Sequence, residues 1–129
     1  MKIIKLINIA DLKPHEETFP DNLEKVKTKI KQAGFLINPV IVDQESLVIL
    51  DGHHRVKSLE ILGCKKVPSF LVNYSDHQIK VIPRRQNIKV SKELIIKKAL
   101  SNKTFPYKTS KHLIPNLPKK INISLWKLV

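Results

Sequence analysis

The chain has 129 residues, 42% of them hydrophobic, a formal net charge of +13 and one cysteine. That length suits one compact domain. No apolar run is long enough to span a membrane, and a lone Cys64 excludes an internal disulfide or a thiolate metal cluster. The charge is lopsided: residues 1–64 hold nine Lys/Arg and nine Asp/Glu, whereas residues 65–129 hold fifteen Lys/Arg against Asp76 and Glu93 alone. Such a bias favours an anionic partner, a nucleotide, phosphorylated metabolite or nucleic acid, with a lysine-solvated surface as the plainer explanation.

The first strand is expected over 2–8. Met1-Lys2-Ile3-Ile4 leads into it without a signal peptide, so the expected compartment is the cytosol. Pro14-His15-Glu16-Glu17 then makes a loop. Leu23, Val26 and Ile30 recur at helical spacing between Pro20 and Ala33, and Gly34 suits the C-cap. Two short apolar runs, 39–43 and 47–50, flank Gln44-Glu45-Ser46 as a hairpin. A second helix is expected over 54–62, ended by Gly63, then a strand over 67–74 and another over 79–83. Ser91 is an N-cap for a third helix over 91–100, with Leu94, Ile95, Ala99 and Leu100 inward. From Phe105 the periodicity fades among Pro106, Pro115 and Pro118. A last strand is expected over 121–125, with Trp126 anchoring the tail. The order describes a small α+β domain with short mixed strands and interleaved helices.

The densest chemistry lies in Asp51-Gly52-His53-His54-Arg55, between an apolar strand and an amphipathic helix. Backbone N–H groups at a helix start are unpaired and attract phosphate. Arg55 adds a planar fork of donors, and Asp51 can hold the divalent cation that accompanies a nucleotide. Two adjacent histidines and an arginine are poor helix starters on propensity, which sets the turn apart from an ordinary polar one. No His/Cys spacing suits a structural zinc.

Residues 6–74 resemble the ParB/sulfiredoxin superfamily in the order of their motifs: Ile-Ala-Asp-Leu-Lys-Pro-His-Glu, a helix to Gly34, Pro-Val-Ile-Val-Asp, Leu-Val-Ile-Leu-Asp-Gly-His-His-Arg and Leu-Gly-Cys-Lys-Lys-Val-Pro. Within it the chain is most similar to the archaeal free serine kinase group. Lys13-Pro14-His15-Glu16 and the 51–55 turn carry that likeness. Phe105-Pro106-Tyr107-Lys108-Thr109-Ser110-Lys111-His112 resembles the group's Pro-Pro-Lys-Thr-Thr-Arg-His segment, with Lys111 where the group has arginine. Lysine cannot form the bidentate fork.

The resemblance implies a single domain over 1–129. Residues 1–83 would form the core, and residues 84–129 a basic helix and tail that close the site. It implies phosphoryl transfer from ADP or ATP, with Mg²⁺, to the hydroxyl of free L-serine, giving O-phospho-L-serine. Glu16 matches the catalytic base and Asp51 a metal ligand. Gly52, His53, His54 and Arg55 match the phosphate-binding turn, with His54 favoured over His53 to meet the ligand. His15 and the strip Lys108, Thr109, Ser110, Lys111 and His112 would touch substrate or phosphate, the strip acting as a lid or a docked tail. Arg84 and Arg85 read as solvated and His77 as surface.

The sulfiredoxin branch needs a cysteine in the turn, where this chain has His53. Cys64 lies beyond the helix and reads as inert packing beside Val67. Chromosome-partition ParB proteins carry a Gly-Glu-Arg-Arg type turn and a following helix-turn-helix domain, and this chain has neither. The alternative function is a non-catalytic nucleotide- or nucleic-acid-binding regulator. It has the charge in its favour and lacks a recognisable DNA-reading helix. A protein kinase is excluded for want of a Gly-rich loop and a His-Arg-Asp type loop.

Overall fold

The computed structural model describes residues 3–118 and 120–129. Its centre is a four-stranded sheet in the order β1-β5-β3-β4. β1 (Ile3–Asn8) pairs antiparallel with β5 (Lys66–Val72), which runs parallel to β3 (Val40–Asp43), and β3 turns back antiparallel into β4 (Ile49–Asp51). The expected first strand began at Lys2, which lies outside the described residues. The hairpin turn forces Leu47 to φ 61.

All four residues of β3 are buried, and alternation along it divides the core. Val40 and Val42 face one cluster with Leu12, Ile30, Leu36, Leu59, Val67 and Leu128. That cluster is covered by α1 (Pro20–Ala33) and α2 (His53–Ile61). Ile41 faces the other cluster with Phe70, Tyr74, Ile95, Ala99 and Phe105, under α3 (Lys92–Leu100). Residues from both sides of position 84 therefore contribute to each of the two clusters. Gly34 ends α1 at φ 78, as its C-cap position requires. Cys64 is buried in the first cluster with Val67. The mixed α+β expectation holds, and no described helix is long and apolar enough to cross a membrane.

Four tail expectations need correction. Ser91 does cap α3, its Oγ accepting from Leu94 N. Of the four residues expected inward, Ile95 and Ala99, four apart, are buried, while Leu94 and Leu100 are exposed. Each sits one residue, about 100° of helix, from the buried stripe. The Pro-punctuated stretch contains a strand that periodicity missed: β7 (Ser110–Leu113) pairs with β6 (Lys80–Pro83), and Pro83 faces Ser110. The last strand shrinks to β8 (Ile123–Ser124), paired with β2 (Phe35–Leu36). Trp126 is not the tail's anchor, being 74% exposed. Leu128 takes that place: its side chain is fully buried, and its carbonyl accepts from Lys65 N and Lys66 N at 2.7 and 3.0 Å.

Leu128→Ala should therefore cost about 2–5 kcal/mol, whereas Trp126→Ala should stay within roughly 0.5 kcal/mol of the parent. Urea denaturation of the two variants side by side checks this, and an equal loss would restore Trp126 as an anchor.

Candidate active site

The loop 13–19, between β1 and α1, is fixed from both sides by its backbone. Lys13 N donates to Leu47 O, and Ile49 N to Lys13 O, each at 2.9 Å. On the other side Phe105 N donates to His15 O and Glu17 N to Phe105 O, each at 2.8 Å. Beneath the loop starts α2. Gly52, at φ 109, precedes its first turn, and a Cβ there would lie 2.7 Å from Val40 Cγ1. Only glycine lets the chain turn so tightly against β3.

The two histidines of that turn grip the loop. His15 N donates to His53 Nε2 at 3.2 Å, and Phe19 N donates to His54 Nε2 at 2.9 Å. An imidazole nitrogen that accepts an amide hydrogen bears no proton, so this geometry calls for neutral rings. Burial favours that form. It pulls His53 well below its usual range and His54 below it, Lys108 adding to the effect on His54. His15, fully buried, is lowered to about 4 and His112 to about 3, in both cases mainly by burial. The His53 and His112 rings lie 4.6 and 5.8 Å from that of His15. His112 Nε2 shares a 2.8 Å hydrogen bond with Tyr74 Oη.

Glu16 faces the tail strip. Its Oε1 accepts from Lys108 N at 2.6 Å and its Oε2 from Ser110 Oγ at 3.0 Å. Burial raises its carboxyl above the usual range, and the hydrogen bonds from Ser110 and Lys108 oppose that. Across the turn, Arg55 Nη2 pairs with Asp51 Oδ2 at 3.2 Å, and its Nη1 donates to Pro39 O at 3.1 Å.

These groups line a cleft of about 650 Å³. Of the residues singled out from sequence, Glu16, Asp51, Gly52, His53, His54, Arg55, Lys108, Ser110, Lys111 and His112 border it. His15 and Thr109 do not. His15 lies behind the wall, between Ile49 O at 2.7 Å and Ser110 Oγ at 3.2 Å. Thr109 is fully buried, with its hydroxyl on Pro106 O.

Arg84, read as solvated, borders the cleft, because its N–H donates to Thr109 O at 2.9 Å and the β6–β7 pairing carries it there. Arg85 is not merely solvated either: its Nη2 donates to Tyr107 O at 2.7 Å. Lys29, Asn22 and Asn38 were missed, as was an apolar wall of Val26, Ile30, Phe35 and Leu36. The amphipathic α1 pattern held part of that wall in view. The strand pairing that delivers Arg84 left no local signal.

Residues 2–88 match the ParB N-terminal domain. The chain is similar to an ATP-dependent L-serine kinase of Staphylothermus marinus, 36% identical over 80 residues, 59% of this chain and 32% of that protein. It is also similar to an ADP-dependent L-serine kinase of Thermococcus kodakarensis, 30% identical over 79 residues, 58% of this chain and 33% of that protein. The chain spans about a third of the length of these curated relatives. A solved structure of a free serine kinase in complex with AMP shares the fold, with a TM-score of 0.85 at 17% identity over 98% of this chain and 93% of that one.

The neutral histidines make stability depend on pH. Folding takes His15 and His112 from the ordinary histidine value of 6.5 to about 4 and about 3, with His53 and His54 also lowered. Below about pH 6.5 the unfolded chain takes up protons that the folded chain refuses. The stabilisation is complete above that pH and is lost as pH falls toward about 4 and then about 3. Glu16 works in the opposite sense, as one group against four. Melting temperature measured against pH should fall steadily through this window; a flat profile would mean that these rings titrate normally.

Proposed function

The chain belongs to the ParB N-terminal domain family, and from that premise we propose that it is a nucleotide-dependent kinase of free L-serine. The reaction is transfer of the terminal phosphoryl group of ADP or ATP to the serine hydroxyl, giving O-phospho-L-serine. One observation carries the reading: a single cleft gathers an ordered, half-buried carboxylate, Glu16, and the open N-terminus of α2. The names of the curated relatives support the same chemistry.

Glu16 is the general base. Burial raises its proton affinity, and the bonds from Lys108 N and Ser110 Oγ fix its direction. The N–H groups opening α2, with Arg55, receive the nucleotide phosphates. Lys108, Lys111 and Arg84 supply positive charge from the facing wall. His53 and His54 serve by holding the loop that carries Glu16, since each spends Nε2 on a backbone amide. His15 and Thr109 support the wall and do not touch substrate.

Mg²⁺ fits the donor set in one manner. It binds through one or two carboxylates plus phosphate oxygens and water. Among the described residues no group of three or more His, Cys, Asp or Glu is arranged to hold a metal ion. Asp51, with its side chain 65% exposed at the cleft, is the ligand that would hold it. When bound there the ion would neutralise charge on the phosphate oxygens.

The direct test is to incubate the protein with Mg²⁺, L-serine and either nucleotide. O-phospho-L-serine should appear together with AMP or ADP; its absence with both nucleotides overturns the reading.

Glu16→Gln should slow transfer by about 100- to 10,000-fold while nucleotide affinity stays near that of the parent. Calorimetric titration beside the rate assay separates the two effects, and near-normal turnover would remove Glu16 from the role of base.

A further inference from the structure

From the cleft wall inward, Glu16, Ser110 and His15 form a line that the proposed reaction leaves unexplained. His15 Nδ1 stands 2.7 Å from Ile49 O, His15 Nε2 stands 3.2 Å from Ser110 Oγ, and Ser110 Oγ stands 3.0 Å from Glu16 Oε2. His15 is fully buried and Ser110 is 7% exposed, so water cannot readily repair a missing partner.

The hydrogens do not balance. Three contacts need three hydrogens. A neutral imidazole supplies one, and it must sit on Nδ1, since the Ile49 carbonyl only accepts. The Ser110 hydroxyl supplies a second, and an ionised Glu16 supplies none. With Glu16 ionised, Ser110 can donate to Glu16 or to His15 Nε2 but not to both, and while it points to Glu16, the buried His15 Nε2 stays unmet. With Glu16 protonated, the carboxyl hydrogen can point to Ser110 Oγ. The hydroxyl hydrogen is then free for His15 Nε2, and all three bonds close.

We propose that Ser110 is a reversing hydrogen bond. Its hydroxyl points to Glu16 while that carboxyl is ionised and turns to His15 once Glu16 has taken the substrate proton. The inference rests on the phosphoryl-transfer reading above. In the transfer the serine O–H bond breaks and its oxygen forms the new O–P bond. The bond from phosphorus to the bridging oxygen breaks, its electron pair leaves with the nucleotide, and the proton goes to Glu16. No further reactant is needed. His15 and Ser110 are positioning residues: they touch Glu16 and each other and act through it. The bond gained on protonation strengthens Glu16 as a base, in the same direction as burial. The proton stops at Glu16, because burial disfavours an imidazolium at His15.

The groups that face this line are few. α2 presents His53, His54 and Arg55, the last paired with Asp51 at the end of β4, with Lys57 and Glu60 on a small second cleft that Glu16 and His53 also border. The strip presents Lys108, Lys111 and His112, and β6 ends beside Arg84. None of them stands between Ser110 and either partner.

The test reads His15 itself, without substrate. The protein is labelled with ¹⁵N in its histidine rings and ¹³C in its glutamate carboxyls, and titrated over the pH range in which it stays folded. In the parent, the His15 Nε2 resonance should shift at the midpoint of Glu16 without acquiring a directly bonded proton. In Glu16→Gln, whose amide donates permanently, it should hold the low-pH position throughout. In Ser110→Ala it should no longer follow Glu16. A His15 signal that stays flat through the Glu16 midpoint overturns the proposal, and so does one that follows it unchanged in Ser110→Ala. The two readings fail separately: a parent protein that makes no phosphoserine ends the kinase reading, while the resonances still decide for or against the reversing bond.

Discussion

Two backbone amides, those of His15 and Phe19, end on the imidazoles of His53 and His54, and the candidate site depends on this pair of bonds. They tie a loop without regular secondary structure to the first turn of α2. They thereby set where Glu16 stands relative to the helix N-terminus. The constraint is strict. Each ring must be neutral and must present a bare Nε2 to its amide. Protonating either one would set an N–H against an N–H within a partly buried contact. Burial meets the condition by lowering the proton affinity of both rings. The two histidines that looked like poor helix starters are what the loop needs there: side chains long and planar enough to reach out of the first turn and accept.

A neutral histidine cluster changes the electrostatics of the cleft. Its positive charge comes from Lys29, Arg55, Arg84, Lys108 and Lys111, against the carboxylates of Glu16 and Asp51. Five cations against two anions leave an excess that favours a phosphate chain over a neutral ligand. The N–H groups of α2 add partial positive charge. No side chain caps them, and Gly52 lets the chain turn into α2 beside Val40, where a Cβ would clash. The elevated proton affinity of Glu16 persists in this positive setting because the group is removed from water and its own hydrogen bonds only partly offset that.

Much of the frame was legible in the sequence, and the reason differs by region. α1 and the β3–β4 hairpin carry strong periods and hard stops, Gly34 and the Gln44–Ser46 turn, so local pattern placed them closely. The Asp51–Arg55 turn stood out because its residues are costly at a helix start unless they do something else. β7 was hidden because Ser-Lys-His-Leu has no clean alternation. Its strand exists through pairing with β6, whose partners lie 27 to 33 residues away in the chain, from Pro83↔Ser110 to Lys80↔Leu113. Arg84, Thr109 and the true position of His15 were hidden with it. Trp126 misled because size suggests an anchor. The tail is held instead by Leu128, whose carbonyl meets two amides and whose side chain fills the core.

The family match covers residues 2–88, yet the carboxylate in that span is not set by that span alone. The carboxylate oxygens of Glu16 accept from Lys108 N and Ser110 Oγ, and the loop that bears it is stitched to Phe105 on each side of Glu16, at His15 O and Glu17 N. Phe105 in turn is packed in the core under α3. The matched span therefore supplies the Asp51–Arg55 turn and Glu16 itself, while residues 105–110 orient the carboxylate and their hydrogen bonds offset part of the rise in proton affinity that burial gives it. Both partners that hold the carboxylate lie past the matched span, so residues 2–88 alone would leave Glu16 without either of them.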